Sequence, residues 1–405
     1  MNRYFDRWGR DVYFETSLYL FLVALPIGYG IDVALMFIML LCYFFVSDNS
    51  EKLLQLNNHK TSLFLLLGMH TVLWIGTMYS DNVDVAMGRI ERSLPLLILP
   101  PILLSLPNRY LKLRNIFYAL GTGIVIVMLI SWGAIIVDIF SKQSPLKQSK
   151  YFFEWIYTDH NLLRAADIHP GYFALILVLC LSTIIRGDFF EAIRRNKLIF
   201  FLVVSALLLF LVETSSRMGF VALFLILVLS LYKVRGAKEK WIYIFLFFGL
   251  FFTLIKFDYL TNKFQKLVDT DGNIVFERYF RWKEILNVFF SEGNLLFGEG
   301  TGDAYAIFNQ AYVKGNFELA LKENYNAHNQ YLEFLVGNGL LGLFIYLAAV
   351  AHFMVKTKLK GVAMPFFILI VMFSFTESFL VRSKGVMFFS FFYPLLIKYY
   401  ERYDE

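Results

Sequence analysis

Charge is scarce in this 405-residue sequence. Only 17% of it is Asp, Glu, Lys or Arg, while 58% is hydrophobic; a soluble domain carries about 25% charged and about 45–50% apolar residues. That balance excludes a water-soluble globular chain and points to a membrane protein. Cysteine is nearly missing. Cys42 and Cys180 both fall inside apolar runs, which excludes a disulfide framework and a thiolate metal site. After the charged start MNRYFDRWGRDVYFE no small-residue cleavage site follows, and the next apolar stretch contains Pro26; it reads as a retained first span rather than a removed leader. No internal repeat, low-complexity segment or soluble domain is visible, so residues 1–405 read as one integral membrane domain. The net charge of +6 then reflects basic cytoplasmic loops, not a nucleic-acid surface.

What the sequence has in quantity is apolar runs approaching the roughly 20 residues that cross a bilayer. They lie near 15–29, 31–47, 61–79, 92–106, 115–140, 169–185, 197–213, 217–233, 240–256, 329–355, 361–377 and 384–400. The expected fold is all-α, a polytopic transmembrane bundle of about twelve spans. Connections 141–168 and 257–328 are long, and the second, between spans nine and ten, is expected to carry short amphipathic helices.

Short loops set the orientation, because long ones escape the charge rule. One set holds sixteen basic residues, around Lys52–Lys60, Arg109–Arg114, Arg186–Lys197, Lys233–Lys240 and Lys356–Lys360. It belongs in the cytoplasm with both termini. The opposite set holds Arg89, Arg92, Arg217, Arg382 and Lys384. Each lies at or beside a span end, where a cation needs a partner or a route to water. Singly such residues snorkel to lipid phosphates; together they point to an anionic ligand at the outer face.

The long outer loop contains FERYFRWKEILNVFFSEGNLLFGEGTGDAYAIFNQAY. Tyr279, Trp282, Leu286 and Phe289 recur at helical spacing over 276–290, with Arg278 and Arg281 adjacent on that helix. Its apolar face is expected against lipid or protein. Gly298, Gly300 and Gly302 are not a dinucleotide loop, because no strand precedes them and no βαβ unit surrounds them. They read as a tight turn back toward the bilayer, with Asp303 expected to cap the next helix. His328 stands at the start of the tenth span with Tyr325, Asn326 and Asn329 around it. No second histidine lies four residues on, so zinc ligation is not indicated. A lone histidine there has a structural or a catalytic reading; Gly337, Gly339 and Gly342 beyond it read as helix-packing positions.

Taken in order, these segments resemble the O-antigen ligase/polymerase superfamily of bacterial membrane proteins. AHNQYLEFLVGNGLLGLFIYL resembles its histidine–asparagine core helix, and LLFGEGTGD its glycine-rich turn after an R-x-x-x-W helix, here Arg278 and Trp282. ETSSRMGFVAL from Glu213, HPGYFAL from His169 and ESFLVRSKGVMFF from Glu377 are similar to further segments. The resemblance covers the C-terminal 240 residues; the first five spans match mainly by hydropathy.

The resemblance implies a metal-independent glycosyltransferase of the GT-C type with no cofactor. Its donor is an undecaprenyl-diphosphate-linked glycan, and its acceptor lipid A-core or another glycan, at the periplasmic face of the inner membrane. Arg217 and Arg278 map onto the diphosphate, with Arg281 an alternative to Arg278, and His328 is the candidate base. Arg89 and Arg92 add charge to the diphosphate site. His169, Asn329, Glu377 and Arg382 form a second tier: His169 touches sugar or caps a helix, and Glu377 forms an ion pair with Arg382 or Lys384. Ligase, polymerase and, less favoured, flippase readings all remain open at this level.

Overall fold

The structure is a computed structural model describing residues 2–46, 49–142, 155–233 and 277–401. The span expected near 240–256, the connections 143–154 and 257–276, and Arg235, Lys238 and Lys240 lie outside the described residues. The helices are α1 (Asn2–Ala24), α2 (Ile31–Phe44), α3 (Asn49–Asn58), α4 (Lys60–Thr77), α5 (Val83–Ser105) and α6 (Leu113–Lys142). They continue as α7 (His160–Leu163), α8 (Pro170–Arg186), α9 (Glu191–Arg195), α10 (Lys197–Glu213), α11 (Arg217–Lys233) and α12 (Glu277–Glu292). The last are α13 (Ala304–Lys314), α14 (Glu318–Lys322), α15 (Gln330–Thr357), α16 (Ala363–Thr376) and α17 (Ser383–Glu401). Among the described residues there is no strand, as expected for backbone that must satisfy itself in hydrocarbon.

The expected span count is met only in part. Among the described residues two stretches, Asn108–Ser141 and Gln330–Thr357, are long and apolar enough to cross a membrane, or up to four if each of two bent helix pairs counts as one span. Helices α8, α10 and α11 have 17 residues each, about 25 Å of rise against a hydrocarbon core of about 30 Å. Large apolar side chains such as Leu41, Phe44, Phe64, Val137, Phe140 and Phe344 stand exposed on the helices. Lipid would cover such surfaces; water would penalise them.

The chain divides into two compact units. The first comprises Met1–Asp48, Asn108–Phe264 and Met364–Leu369; the second comprises Asn49–Pro107, Gln265–Ala363 and Ile370–Glu405. In the first, α1 packs on α2 and α6, and α8 packs on α10 and α11. In the second, α5 is central, packed by α4 and α17, while α15 lies on α4 and α12 on α13. The last carbonyls of α5 have no helical donors, and Lys398 supplies them. Its ammonium donates to the carbonyls of Leu104 at 2.7 Å, Leu103 at 3.4 Å and Leu106, placing a cation at the negative end of the helix dipole.

The glycine-rich turn and the tenth apolar run fold as one device. Gly339 breaks α15 at φ 65° and ψ −163°, so the span is two helical segments joined at a kink. The turn fills the break with backbone hydrogen bonds. Glu299 and Gly300 amides donate to Val336 and Gly337 carbonyls at 2.9 and 3.0 Å, and Leu340 donates to Leu295 at 2.9 Å. Irregular backbone is tolerated at membrane depth where protein satisfies it. Thr301 extends the seam to α4, its hydroxyl donating to the Leu73 carbonyl at 2.7 Å and accepting from Asn338 Nδ2 at 3.0 Å. Asp303 corrects an expectation. It stands at the start of α13 but makes no side-chain capping bond; its carboxylate accepts from the amides of Asp81 and Asn82 at 2.7 and 3.0 Å.

The fit at the break leaves no room for a methyl. A Cβ on Gly298 (φ 73°) would lie 2.5 Å from the Gly339 amide nitrogen, and one on Gly339 2.3 Å from the Leu296 carbonyl carbon. Gly339→Ala is expected to destabilise by more than the ~1–2 kcal/mol of left-handed strain alone. Gly133→Ala, with open space around its Cβ, is expected to leave thermal unfolding in detergent unchanged or slightly higher.

Candidate functional site

The second unit gathers most of the candidate residues around the first turn of α15. Asn329 is the N-cap, its Oδ1 accepting from the amides of Tyr331 and Leu332 at 3.0 and 3.2 Å. Before it, His328 adopts φ 45°, a left-handed conformation that a residue with a Cβ holds only under constraint. The constraints are visible. His328 N donates to Asn326 Oδ1 at 2.9 Å, Asn329 N to Ser378 Oγ at 3.2 Å, and Ala327 N to Glu333 Oε1 at 3.1 Å. Trp282 of α12 donates its indole N–H to the Ala327 carbonyl at 2.8 Å.

The imidazole is thereby turned toward the residues after α16. His328 Nδ1 lies 3.2 Å from Glu377 Oε2, and Glu377 Oε1 lies 3.4 Å from Arg278 Nη2. Arg278 also donates to the Thr376 carbonyl. Glu377 thus meets His328 and Arg278, from distant parts of the chain. Tyr325 stands edge-on to His328, ring centroids 5.4 Å apart, and Arg281 lies over the Tyr325 ring at 5.5 Å.

Beneath this lies a buried ion pair. Glu333 is 1% exposed and accepts from Arg89 Nη2 at 3.0 Å; its other oxygen accepts from Ala327 N and from the Ser378 hydroxyl at 3.1 Å. Arg89 also lies over Tyr305 at 5.6 Å. Burial, reinforced by Glu333 and opposed by Arg89 and Arg382, pushes the Tyr305 hydroxyl above its ordinary pKa. Burial likewise raises Tyr312, with the Arg281 charge opposing. Both hydroxyls stay protonated, and Tyr312 donates to the Asn326 carbonyl at 3.0 Å. Arg92 donates to the Val381 carbonyl at 3.5 Å and feels the positive charges of Arg382 and Arg89.

Arg278 and Arg281 separate in role. Helix α12 buries Arg281, Ile285, Val288 and Phe289 against a cluster that includes Phe308, Tyr312 and Val336. Of the apolar stripe expected, Phe289 is buried in that cluster and Trp282 and Leu286 pack against it, while Tyr279 stays exposed. The Arg278 side chain remains 40% exposed, that of Arg281 8%. Arg217 and His169 belong to the first unit. Arg217 opens α11; His169 caps α8, its Nδ1 accepting from Gly171 N at 3.1 Å. Sequence reasoning missed Glu333 and Ser378, and it placed Trp282 on its helix without its bond to the Ala327 carbonyl. The signal for Glu333 was present, since a lone carboxylate inside an apolar span needs a partner. Among the described residues no cluster of His, Cys, Asp or Glu is arranged to hold a metal ion.

Residues 200–347 match the O-antigen ligase family. This is the resemblance that was read from the motifs in that part of the sequence. No curated protein matches the chain. The matched segment includes Arg217, Arg278, Arg281, His328, Asn329 and Glu333, and stops before Glu377 and Arg382. It supports a glycosyltransferase-like function of the ligase or polymerase type, on a lipid-linked glycan and an acceptor, in a membrane.

The buried pair makes its own prediction. Glu333→Ala leaves the Arg89 charge uncompensated and is expected to cost about 3–5 kcal/mol. The double change Arg89→Met with Glu333→Leu is expected to recover most of that loss in thermal unfolding.

Proposed function

We infer that the protein transfers an undecaprenyl-diphosphate-linked glycan to a lipid A-core acceptor at the periplasmic face of the bacterial inner membrane. In this reading it is a GT-C-type bundle of about twelve spans with both termini cytoplasmic, inverting and independent of metal. The observation that carries the reading is His328, held in a left-handed turn at the start of α15 with Glu377 and Arg278 against it, inside the O-antigen ligase segment.

The chemistry follows from those groups. The acceptor hydroxyl oxygen attacks the anomeric carbon while the bond from that carbon to the diphosphate oxygen breaks. The bonding pair leaves with the diphosphate, and the hydroxyl proton passes to the imidazole. Histidine titrates near neutrality and suits the base role. The departing diphosphate gains charge, and arginine, always protonated, grips phosphate oxygens bidentately. Its greater exposure favours Arg278 over Arg281 as that ligand; Arg281 instead supports Tyr325 beneath His328. Arg89 is committed to Glu333 and acts as a support. Arg92 and Arg382, which repel one another, are relieved by an anion. The family resemblance adds Arg217 as a further diphosphate ligand. Attack opposite the diphosphate inverts the anomeric centre.

Purified protein given labelled carrier-linked glycan and acceptor is expected to release undecaprenyl diphosphate; a flippase releases none. His328→Ala is expected to lower transfer by about 10²–10⁴. Arg217→Ala is expected to lower it by at least about 10². Both variants should insert normally, and near-normal transfer by either rejects its assigned role. In a deletion strain, loss of every glycan rung on lipopolysaccharide marks a ligase, and survival of a single-repeat rung marks a polymerase.

A further inference from the structure

Glu377 lies outside the O-antigen ligase segment, yet its carboxylate is bound on both oxygens to groups inside it. Oε2 faces His328 Nδ1 at 3.2 Å and Oε1 faces Arg278 Nη2 at 3.4 Å. An ionised carboxylate is only an acceptor, so the imidazole nitrogen against it must carry the hydrogen. Nε2 makes no hydrogen bond among the described residues. Side-chain exposures of 25% and 26% leave His328 and Glu377 reachable from outside but shielded from bulk water. The backbone around both is fixed, since Asn329 N bonds Ser378 Oγ and Ser378 Oγ bonds Glu333.

We propose that Glu377 is a positioning residue that fixes His328 as the Nδ1–H tautomer and presents Nε2 as the base for the acceptor hydroxyl. The inference rests on the transferase reading of His328 for its function, though not for its geometry. The bond on one ring nitrogen decides which tautomer the other presents. When Nε2 takes the proton, the imidazolium lies against the carboxylate and is stabilised there. Arg278 holds the far oxygen, which keeps the carboxylate plane oriented. Replacing such a carboxylate by an amide keeps the shape and can select the wrong tautomer, a change that costs ~10⁴ in the serine proteases.

Two measurements test this. Nitrogen NMR of ¹⁵N-histidine-labelled wild-type protein, with His328→Gln assigning the signal, is expected to show neutral His328 with hydrogen on Nδ1 and Nε2 bare. Finding the hydrogen on Nε2 overturns the proposal whether or not any variant folds. Glu377→Gln is expected to lower kcat by about 10²–10⁴, with the donor KM changed less than about threefold, and Glu377→Asp to restore part of the loss. Activity of Glu377→Gln within about threefold of wild type overturns the positioning role while His328→Ala remains inactive. Activity of His328→Ala overturns the transferase reading instead.

Discussion

Glu333 is the constraint on which the candidate site depends. It sits one turn into α15, 1% exposed, and holds Arg89 of α5 on one oxygen and the Ala327 amide with the Ser378 hydroxyl on the other. A carboxylate so buried is stable only when paired and hydrogen-bonded. Its partners come from three separate parts of the second unit, so one desolvated charge fixes α5, the turn before α15 and the connection after α16 together. The left-handed His328 and the approach of Glu377 to it are consequences of that fixation.

The glycine-rich turn does the complementary work on the other side of the first α15 segment. By inserting at Gly339 it ends that segment after a few turns and satisfies the carbonyls and amides the break exposes. A short helix anchored at both ends presents its positive N-terminus, with His328 and Asn329, in a defined place. The same loop reaches α4 through Thr301 and the residues before α5 through Asp303. Chain far from the histidine therefore sets where the histidine can be.

How much of this was legible depended on range. Composition and apolar runs gave an all-helical chain, and the periodicity around Trp282 gave α12. His328 stood out as an imidazole beside a span, and Arg278 as a cation near it. Glu333 went unread because it lies in the middle of an apolar run and its partners are 244 and 45 residues away. Asp303 was read as a local cap, since sequence shows the helix start but not the amides of Asp81 and Asn82 folded against it. The approach of Glu377 to His328 and Arg278 was hidden for the same reason. Span number was the least legible feature, because an apolar run marks hydrophobic chain, whereas a crossing also requires an unbroken helix of sufficient rise.

The central claim is that these groups converge on a lipid-linked diphosphate sugar. The most direct measurement is an experimental structure with an inert carrier-diphosphate glycan analogue bound. The account predicts diphosphate oxygens within hydrogen-bonding reach of Arg278 and the first sugar facing His328 Nε2. Diphosphate bound away from Arg278, with His328 turned toward lipid or protein, would contradict it.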